Sequence, residues 1–316
     1  MPLFRRHPEP RARNRPPRAR NRPPRAGDRG PRAEQAVRVV TDSTSGLPLD
    51  APGSGPRVVP LRVVTEQDSY DESVDVTAAD VVRWLDAGTR VTTSQPSPER
   101  FASQYRDLAD EGAHAIVSLH LSGELSGTVG AAGAAAARSP LAVQVVDSRT
   151  VGPGLGFAAR AAAECAAAGC DAAHVAARAR AVADSSTSVF MVDTLEHLRR
   201  GGRLSGPAAA LGTVLGVRPI LTMRDGRIEL AQRVRTRAAG MERLLDVAGE
   251  SIAAATRPVV GVQHFGAPER AGTLAGRVRT RTRAEVEVSD ISAVIGVHVG
   301  PGTLAVVVAD LGDHAH

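Results

Sequence analysis

At 316 residues with 42% hydrophobic content, the chain is long enough for two domains and a substantial core. Aromatics at 3% argue against base-stacking platforms for single-stranded nucleic acid, and no apolar run reaches the roughly 18–20 residues that a membrane span needs. The formal charge of +5 belongs to the N-terminus: residues 1–36 hold eleven arginines against Glu9, Asp28 and Glu34, leaving 28 basic and 31 acidic residues in a mildly acidic body.

The first 36 residues carry a repeat, RARNRPP at Arg11–Pro17 and again at Arg18–Pro24. Arginine–proline repeats cannot bury a core, so a disordered tail is expected, better read as a dispensable extension than as a nucleic-acid arm. It lacks the apolar stretch of a secretory signal, and a cytoplasmic location is expected. Val37, Val39 and Val40 then form a short apolar run ending in the turn-rich Asp42–Gly46, and Val58–Val64 forms another. Thr77 suits the N-cap of a helix running to about Asp86, with Asp80 at N3. The hydroxyl-rich TTSQPS at Thr92–Ser97 is expected just after a strand, with Ser97 and Pro98 as N-cap and N1 of a helix to about Glu111. AIVSLHL at Ala115–Leu121 reads as a strand, followed by LSGELSGT at Leu121–Thr128, an alanine-rich helix over Gly127–Arg138, and the strand AVQVVDS. Strand and helix alternating in this rhythm predict a parallel sheet.

Beyond Phe157 the pattern changes. Helices are expected over about Gly156–Ala168, Ala172–Asp184, Leu195–Arg200 and Pro207–Leu215, with SVFMVDT between the second and third. Strands Arg218–Met223 and Arg227–Arg233 flank Asp225 and Gly226, a hairpin signal. A helix over Arg237–Thr256, the strand PVVGVQHF, a helix over Pro268–Arg281, EVEVSDIS and the strand TLAVVVAD complete the chain. The fold class predicted is α/β in two domains: an N-terminal three-layer domain with a parallel sheet over 37–160, and a C-terminal mixed α+β domain over 161–316, with a ligand cleft between them. Cys165 and Cys170 lie five apart in an alanine-rich helical segment, more than one turn of helix, and read as small buried hydrophobes.

The two hydroxyl-rich stretches carry the functional signal. Ligands of α/β proteins bind at the carboxyl ends of strands. Neither stretch supplies a general base, a metal ligand or a phosphate-binding lysine, so neutral donors that hold an anionic head group fit better than bond-breaking chemistry. Taken alone, Ser126, Gly127 and Thr128 are equally an ordinary cap and tight turn, and His298, between valines, resembles a core residue of a strand. A lipid-acting serine hydrolase is the enzymatic rival, but Gly123–Gly127 has glutamate where a nucleophile elbow needs glycine. A nucleic-acid binder acting through the basic tail is the other rival. No histidine falls at metal-ligand spacing with carboxylates.

VVTDSTSGLP, TTSQPS, LSGELSGT, VVDSRTVGPGLG, DTLEHLRRGGRLSG, GVRPILTMRDGRI, RVRTR and IGVHVGPGTLAVVV resemble, in order and spacing, the DegV family over residues 37–310. The resemblance implies a two-domain protein without a catalytic centre, metal or cofactor of its own. It further implies that one long-chain fatty acid is bound and presented to a separate kinase subunit resembling the ATP-binding part of dihydroxyacetone kinase, which makes an acyl phosphate. By motif position, Thr93 and Ser126 hold the carboxylate and His298 joins the head-group network. Arg235 of RVRTR is implied to face the kinase. Arg233, Arg235 and Arg237 are expected to share one strand face, no specific nucleic acid is implied, and transient membrane contact is compatible with a lipid carrier.

Beside the resemblance stands a physical argument. An ionised carboxylate drawn into a partly apolar cleft needs donors. Two hydroxyls and the backbone N–H groups at the helix start behind Gly127 supply them. The acyl chain needs apolar walls, for which Phe157, Val189, Phe190, Leu195, Leu211, Val214, Leu215, Ile220 and Leu221 are candidates. Glu124 is expected to face solvent, away from the anion.

Overall fold

Apolar residues on both faces of β1 (Val37–Asp42) make it a strand for the middle of a parallel sheet, and that is where it lies. The computed structural model describes residues 36–49, 54–205 and 217–312. β1 pairs in parallel with β2 (Arg57–Val59) on one side and β6 (Ala115–His120) on the other, and β7 (Ala142–Asp147) extends the sheet beyond β6. Alternation along the strands sends Val40 and Ile116 to one face, where they meet Phe101, Tyr105 and Leu108 of α2 (Pro98–Asp110) and the alanines of α3 (Thr128–Ala136). Val39 and Val117 point to the other face, toward α4 (Pro153–Ala167) and α5 (Ala172–Ser185). The expected three-layer N-terminal arrangement is present.

The second sheet is mixed and six-stranded, in the order β10-β9-β8-β13-β11-β12. Its strands are β8 (Thr187–Met191), β9 (Arg218–Arg224), β10 (Arg227–Val234), β11 (Pro258–His264), β12 (Glu285–Asp290) and β13 (Leu304–Asp310). Among its described strands only β11 and β12 run parallel, joined by a crossover through the helix Pro268–Arg279. The Asp225–Gly226 turn forms as expected, with φ of 50° and 79°, the left-handed pair that a two-residue hairpin requires. After α6 (Glu196–Arg200) come α7 (Arg237–Ala254) and α8 (Pro268–Arg279), whose Leu244, Leu245 and Leu274 cover one face of this sheet. The other face meets α4 and α5, so that helical pair lies between the two sheets. The helix expected over Pro207–Leu215, the tail and the tunnel candidates Leu211, Val214 and Leu215 lie outside the described residues.

Four local expectations need correction. The run Val58–Val64 is two strands, not one. Pro60 lacks an N–H for the ladder, and past it β3 (Arg62–Val64) joins a separate antiparallel sheet with β4 (Ser69–Asp71) and β5 (Thr92–Ser94). TTSQPS therefore contains a strand, β5, rather than following one. The IGVHVG segment is helical, α9 (Ala293–Val299), because Ser292 caps it by accepting from Ile295 N and the chain leaves at Gly300 with φ 78°. Finally, Cys165 and Cys170 form a disulfide with Cα atoms 5.5 Å apart. The helix ends at Ala167 and Gly169 takes φ 91°, turning the chain back so that Cys170 N donates to Cys165 O at 3.1 Å. Both cysteines are half-buried rather than core residues.

α1 (Ala78–Asp86) begins with the expected box: Thr77 Oγ1 accepts from Asp80 N while Asp80 Oδ2 accepts from Thr77 N at 2.9 Å. Hydrogen bonds donated to that carboxyl by Thr77 Oγ1, at 2.5 Å, and then by Thr77 N hold Asp80 below its ordinary range. Among the described residues no helix is long and apolar enough to cross a membrane.

Candidate functional site

Thr93, Ser126, Gly127 and His298 converge on one cavity of about 280 Å³. Thr93 comes from β5, and Ser126 and Gly127 from the loop between β6 and α3. His298 arrives from α9, which packs beside β5. The remaining walls are largely apolar: Leu61, Leu121 and Leu125 from the N-terminal half, and Ile228, Ile295 and Val299 from the C-terminal half.

Each hydroxyl at the head of the cavity is backed by a second group. Thr93 Oγ1 lies 2.8 Å from His298 Nε2, and Ser126 Oγ lies 2.8 Å from Thr128 Oγ1, itself fully buried. Burial, then the positive charges of Arg203 and His197, push the His298 pKa down to about 4, so its ring is neutral at pH 7. Its Nδ1 is buried with no partner among the described residues. A proton on Nδ1 would be an orphaned donor, so the favoured tautomer carries it on Nε2 and donates to Thr93. Thr93 then keeps its own proton for a ligand. Between Ser126 and Thr128 either hydroxyl can donate, and with Thr128 as the donor the serine proton is free in the same way. A pair of directed donors facing one point suits an acceptor-only anion.

Gly127 is the N-cap of α3, so the positive end of that helix opens on the same point. A Cβ at Gly127 would collide with the Gln95 amide, so a larger residue there would displace that side chain. Glu124 faces away as expected, paired with Arg227 at 2.7 Å and half-exposed.

The loop that carries Ser126 is fixed by a buried polar chain. Asp42 Oδ2 accepts from Leu121 N at 2.9 Å and pairs with His120 Nδ1 at 3.1 Å; His120 Nε2 lies 2.7 Å from Ser118 Oγ, which lies 2.8 Å from Tyr105 OH. The other oxygen of Asp42 accepts from Thr44 Oγ1 at 2.5 Å, and Thr44 lines the cavity. Asp42, Ser118 and His120 are fully buried. Burial also pushes the Tyr105 pKa up to about 12. The order of these groups is that of a catalytic triad, but Ser118 is sealed from solvent and lies off the cavity wall.

A second anchor holds α9. Glu72 accepts from Ser43 Oγ and, at 2.8 Å, from Val294 N in the first turn of that helix. Burial raises its pKa, with the hydrogen bonds from Ser43 and Val294 opposing.

Some expectations for the walls change. Val189 and Phe190 line a second apolar cavity of about 50 Å³, which shares Val151, Ile228, Ile295 and Val299 with the first and so continues it inward. Phe157, Ile220 and Leu221 are core residues lining neither cavity, and Leu195 is half-buried against the core. Ile295 and Val299 were missed because a strand reading of IGVHVG hides their face; at helical spacing they lie beside His298. Arg233, Arg235 and Arg237 do not share a strand face. β10 ends at Val234 and Arg237 opens α7, where it pairs with Asp193 at 2.9 Å. Arg235 sits exposed at the bend between them. His264 ends β11 beside Asp290 at 3.3 Å, away from the cavity.

Fold and site together define a two-domain α/β protein with a largely apolar cavity lined also by the hydroxyls of Thr93 and Ser126. The family model described as "Uncharacterised protein, DegV family" matches residues 36–311. The chain belongs to the DegV family. A DegV domain-containing protein from Streptomyces coelicolor is 45% identical over 279 residues, covering 86% of this chain and 98% of that one. A DegV family protein from Thermus thermophilus, described for its fatty acid binding, superposes with a TM-score of 0.81 at 36% identity, covering 87% of this chain and all of that one. DegV from Bacillus subtilis, described as a fatty acid binding protein, gives a TM-score of 0.78 at 28% identity, covering 87% of this chain and 99% of that one.

Proposed function

We propose that this protein binds one long-chain fatty acid, with the carboxylate on Thr93, Ser126 and the Gly127 helix start, and His298 behind Thr93. The observation that carries this reading is the convergence of those four residues on one cavity whose other walls are mostly apolar, with Arg203, Thr44, Ser94 and Gln95 also lining it. The fatty acid binding described for the Thermus thermophilus and Bacillus subtilis relatives supports it. Methylene burial, at about 0.8 kcal/mol per CH₂, dominates affinity, while the hydroxyl bonds to the charged head fix orientation.

The protein on this reading is a carrier and not the catalyst. The bound acid is presented to a separate ATP-dependent kinase, which makes the acyl phosphate inside the cell. The exposed Arg235, at the bend between β10 and α7, is the proposed docking contact. The first experiment is organic extraction of the purified full chain followed by mass spectrometry. A near-stoichiometric long-chain fatty acid, lost in a Thr93→Ala/Ser126→Ala variant that still melts cooperatively, is expected. A protein that is empty and takes up no added fatty acid sinks the reading. For the docking contact, Arg235→Glu is expected to leave fatty acid uptake intact while slowing phosphorylation by a DegV-partner kinase.

A further inference from the structure

The inner cavity of about 50 Å³, apolar on most of its wall, contains a hydroxyl that nothing satisfies. Ser188 lies on β8 two residues before Phe190, and strand alternation turns both side chains to the face that lines this cavity. Ser188 is 6% exposed, and its Oγ is buried without a hydrogen-bond partner among the described residues. Around it the wall is hydrocarbon, from Val151, Phe190, Met223, Ile228, Ala305 and Val307. Two other polar side chains line the cavity, and both are engaged. Thr303 Oγ1 donates to Val299 O at 3.1 Å and Gly300 O at 2.8 Å, and Gln263 Nε2 donates to Ser289 Oγ and Asp290 O, each at 3.1 Å.

The fold makes no use of this hydroxyl. A buried polar group without a partner is destabilising, and alanine or valine would sit in β8 without that cost. The Ser188 main chain is satisfied separately, its O accepting from Thr222 Oγ1 at 2.9 Å. An internal water does not fit the role, because such a water needs about two to four polar partners. The nearer candidate for a second partner, Gln263, pairs with Ala305, which pairs in turn with Phe190. It therefore lies two strands and two residues from Ser188, roughly 12 Å between Cα atoms at ordinary sheet spacings. A hydroxyl carried on an acyl chain meets the site better. It exchanges a hydrogen bond with Ser188 Oγ, while the methylenes on either side of it fill the hydrocarbon wall.

We infer that Ser188 determines specificity, and that the inner cavity takes an acyl chain bearing a hydroxyl well removed from the carboxylate. The position of that hydroxyl follows from the route. The outer cavity holds Thr93 and Ser126, and it shares Val151, Ile228, Ile295 and Val299 with the inner one. A chain anchored at those two hydroxyls passes the shared walls before it reaches Ser188. The inference rests on the proposed fatty acid reading for the class of ligand, and on the unpaired Ser188 Oγ for the oxygen.

The test is displacement of a fluorescent fatty acid from the full chain by stearate, 2-hydroxystearate, 10-hydroxystearate and 12-hydroxystearate. Each is run on the wild type and on Ser188→Ala, and the readout is the affinity of each hydroxy acid relative to stearate, a ratio in which any general loosening of the wall cancels. In the wild type at least one of the two mid-chain hydroxy acids is expected to bind no more weakly than stearate. In Ser188→Ala its ratio is expected to fall about tenfold, because the ligand hydroxyl is then buried unpaired. The ratio for 2-hydroxystearate should hold, since that oxygen stays beside the carboxylate. Ser188→Ala is expected to melt at or above the wild type, having lost an unsatisfied buried group. A shift below about twofold for both mid-chain acids overturns the inference, as does an equal shift for 2-hydroxystearate. A variant that melts well below the wild type also overturns it, because the hydroxyl then serves the fold. Stearate uptake with no effect of Ser188 on the ratios defeats the inference alone, whereas a wild type that takes up none of the four acids defeats the fatty acid reading and the inference with it.

Discussion

Thr93 Oγ1 and His298 Nε2 lie 2.8 Å apart although 205 residues separate them in the chain. The bond joins a strand of the small antiparallel sheet to a helix of the C-terminal half, so the cradle exists only when both are docked. With the neutral imidazole as donor, the threonine O–H is free to donate a hydrogen bond to a ligand. His298→Ala leaves Thr93 without its backing donor, and Thr93→Val removes the ligand contact itself. Thr93→Val is expected to weaken fatty acid binding by about 1.5–3 kcal/mol, roughly ten- to a hundredfold, because its lost bond is to a charged group, and His298→Ala, which loses a neutral bond, by about 0.5–1.5 kcal/mol. Fluorescent fatty acid displacement reads this directly, and losses below about twofold in both variants would remove them from the head-group site.

The titration of His298 gives a second check, with a definite sign. Its ordinary value of 6.5 falls to about 4 in the folded protein, mainly through burial. Between those values the unfolded chain binds the proton more readily, so the contribution to stability is complete above about pH 6.5 and is lost as pH falls toward 4. Denaturant melts from pH 7 to 4.5 are expected to show a limb that flattens in His298→Gln. A bound carboxylate favours the imidazolium, so ligand should move the His298 midpoint upward in NMR titrations.

Much of this was legible in the chain because local rules and tertiary demands agree there. The valine runs of β1 and β6, the Thr77–Asp80 box and the Asp225–Gly226 hairpin are specified by residues within a few positions of each other. The hydroxyls Thr93 and Ser126 stood out as motifs. What failed was decided elsewhere in space. The segment around His298 is rich in β-branched residues and reads as a strand, yet a cap at Ser292 and the Glu72 carboxylate from another sheet make it a helix. The walls Ile295 and Val299 were hidden with it. His120 carried no local signal at all, since its partners Asp42 and Ser118 converge only after the parallel sheet has formed.

Glu72 supports α9 from the N-terminal half, accepting from Ser43 Oγ and Val294 N in a site 1% exposed. Glu72→Ala orphans both donors and should cost about 1–3 kcal/mol for each in a thermal or denaturant melt. Glu72→Gln keeps an acceptor oxygen and is expected to cost less. The raised pKa has the opposite sign to that of His298: the folded state holds this proton more tightly, so the ionised carboxyl weighs against stability at neutral pH and the burden lifts as pH falls through the raised value. A Glu72→Gln variant as unstable as Glu72→Ala would show that the charge itself, not the acceptor, holds the helix.

Gly201 offers a way to move the His298 ring without deleting it. It closes α6 at φ −75°, a conformation open to alanine, but an added Cβ would collide with His298 Nδ1 and crowd Cε1. The ring must turn away, and the bond to Thr93 goes with it. Its neighbour Gly202 is the matched control, with φ 68° and open space where a Cβ would go. Gly202→Ala should therefore cost about 1 kcal/mol of stability through backbone strain and leave fatty acid affinity unchanged. Gly201→Ala should do the reverse, melting near the wild type while binding fatty acid as weakly as His298→Ala. In the Gly201→Ala/His298→Ala double variant the two losses should not add, because both remove the same donor behind Thr93. Full additivity would mean that Gly201 acts on the cradle by some route other than the imidazole.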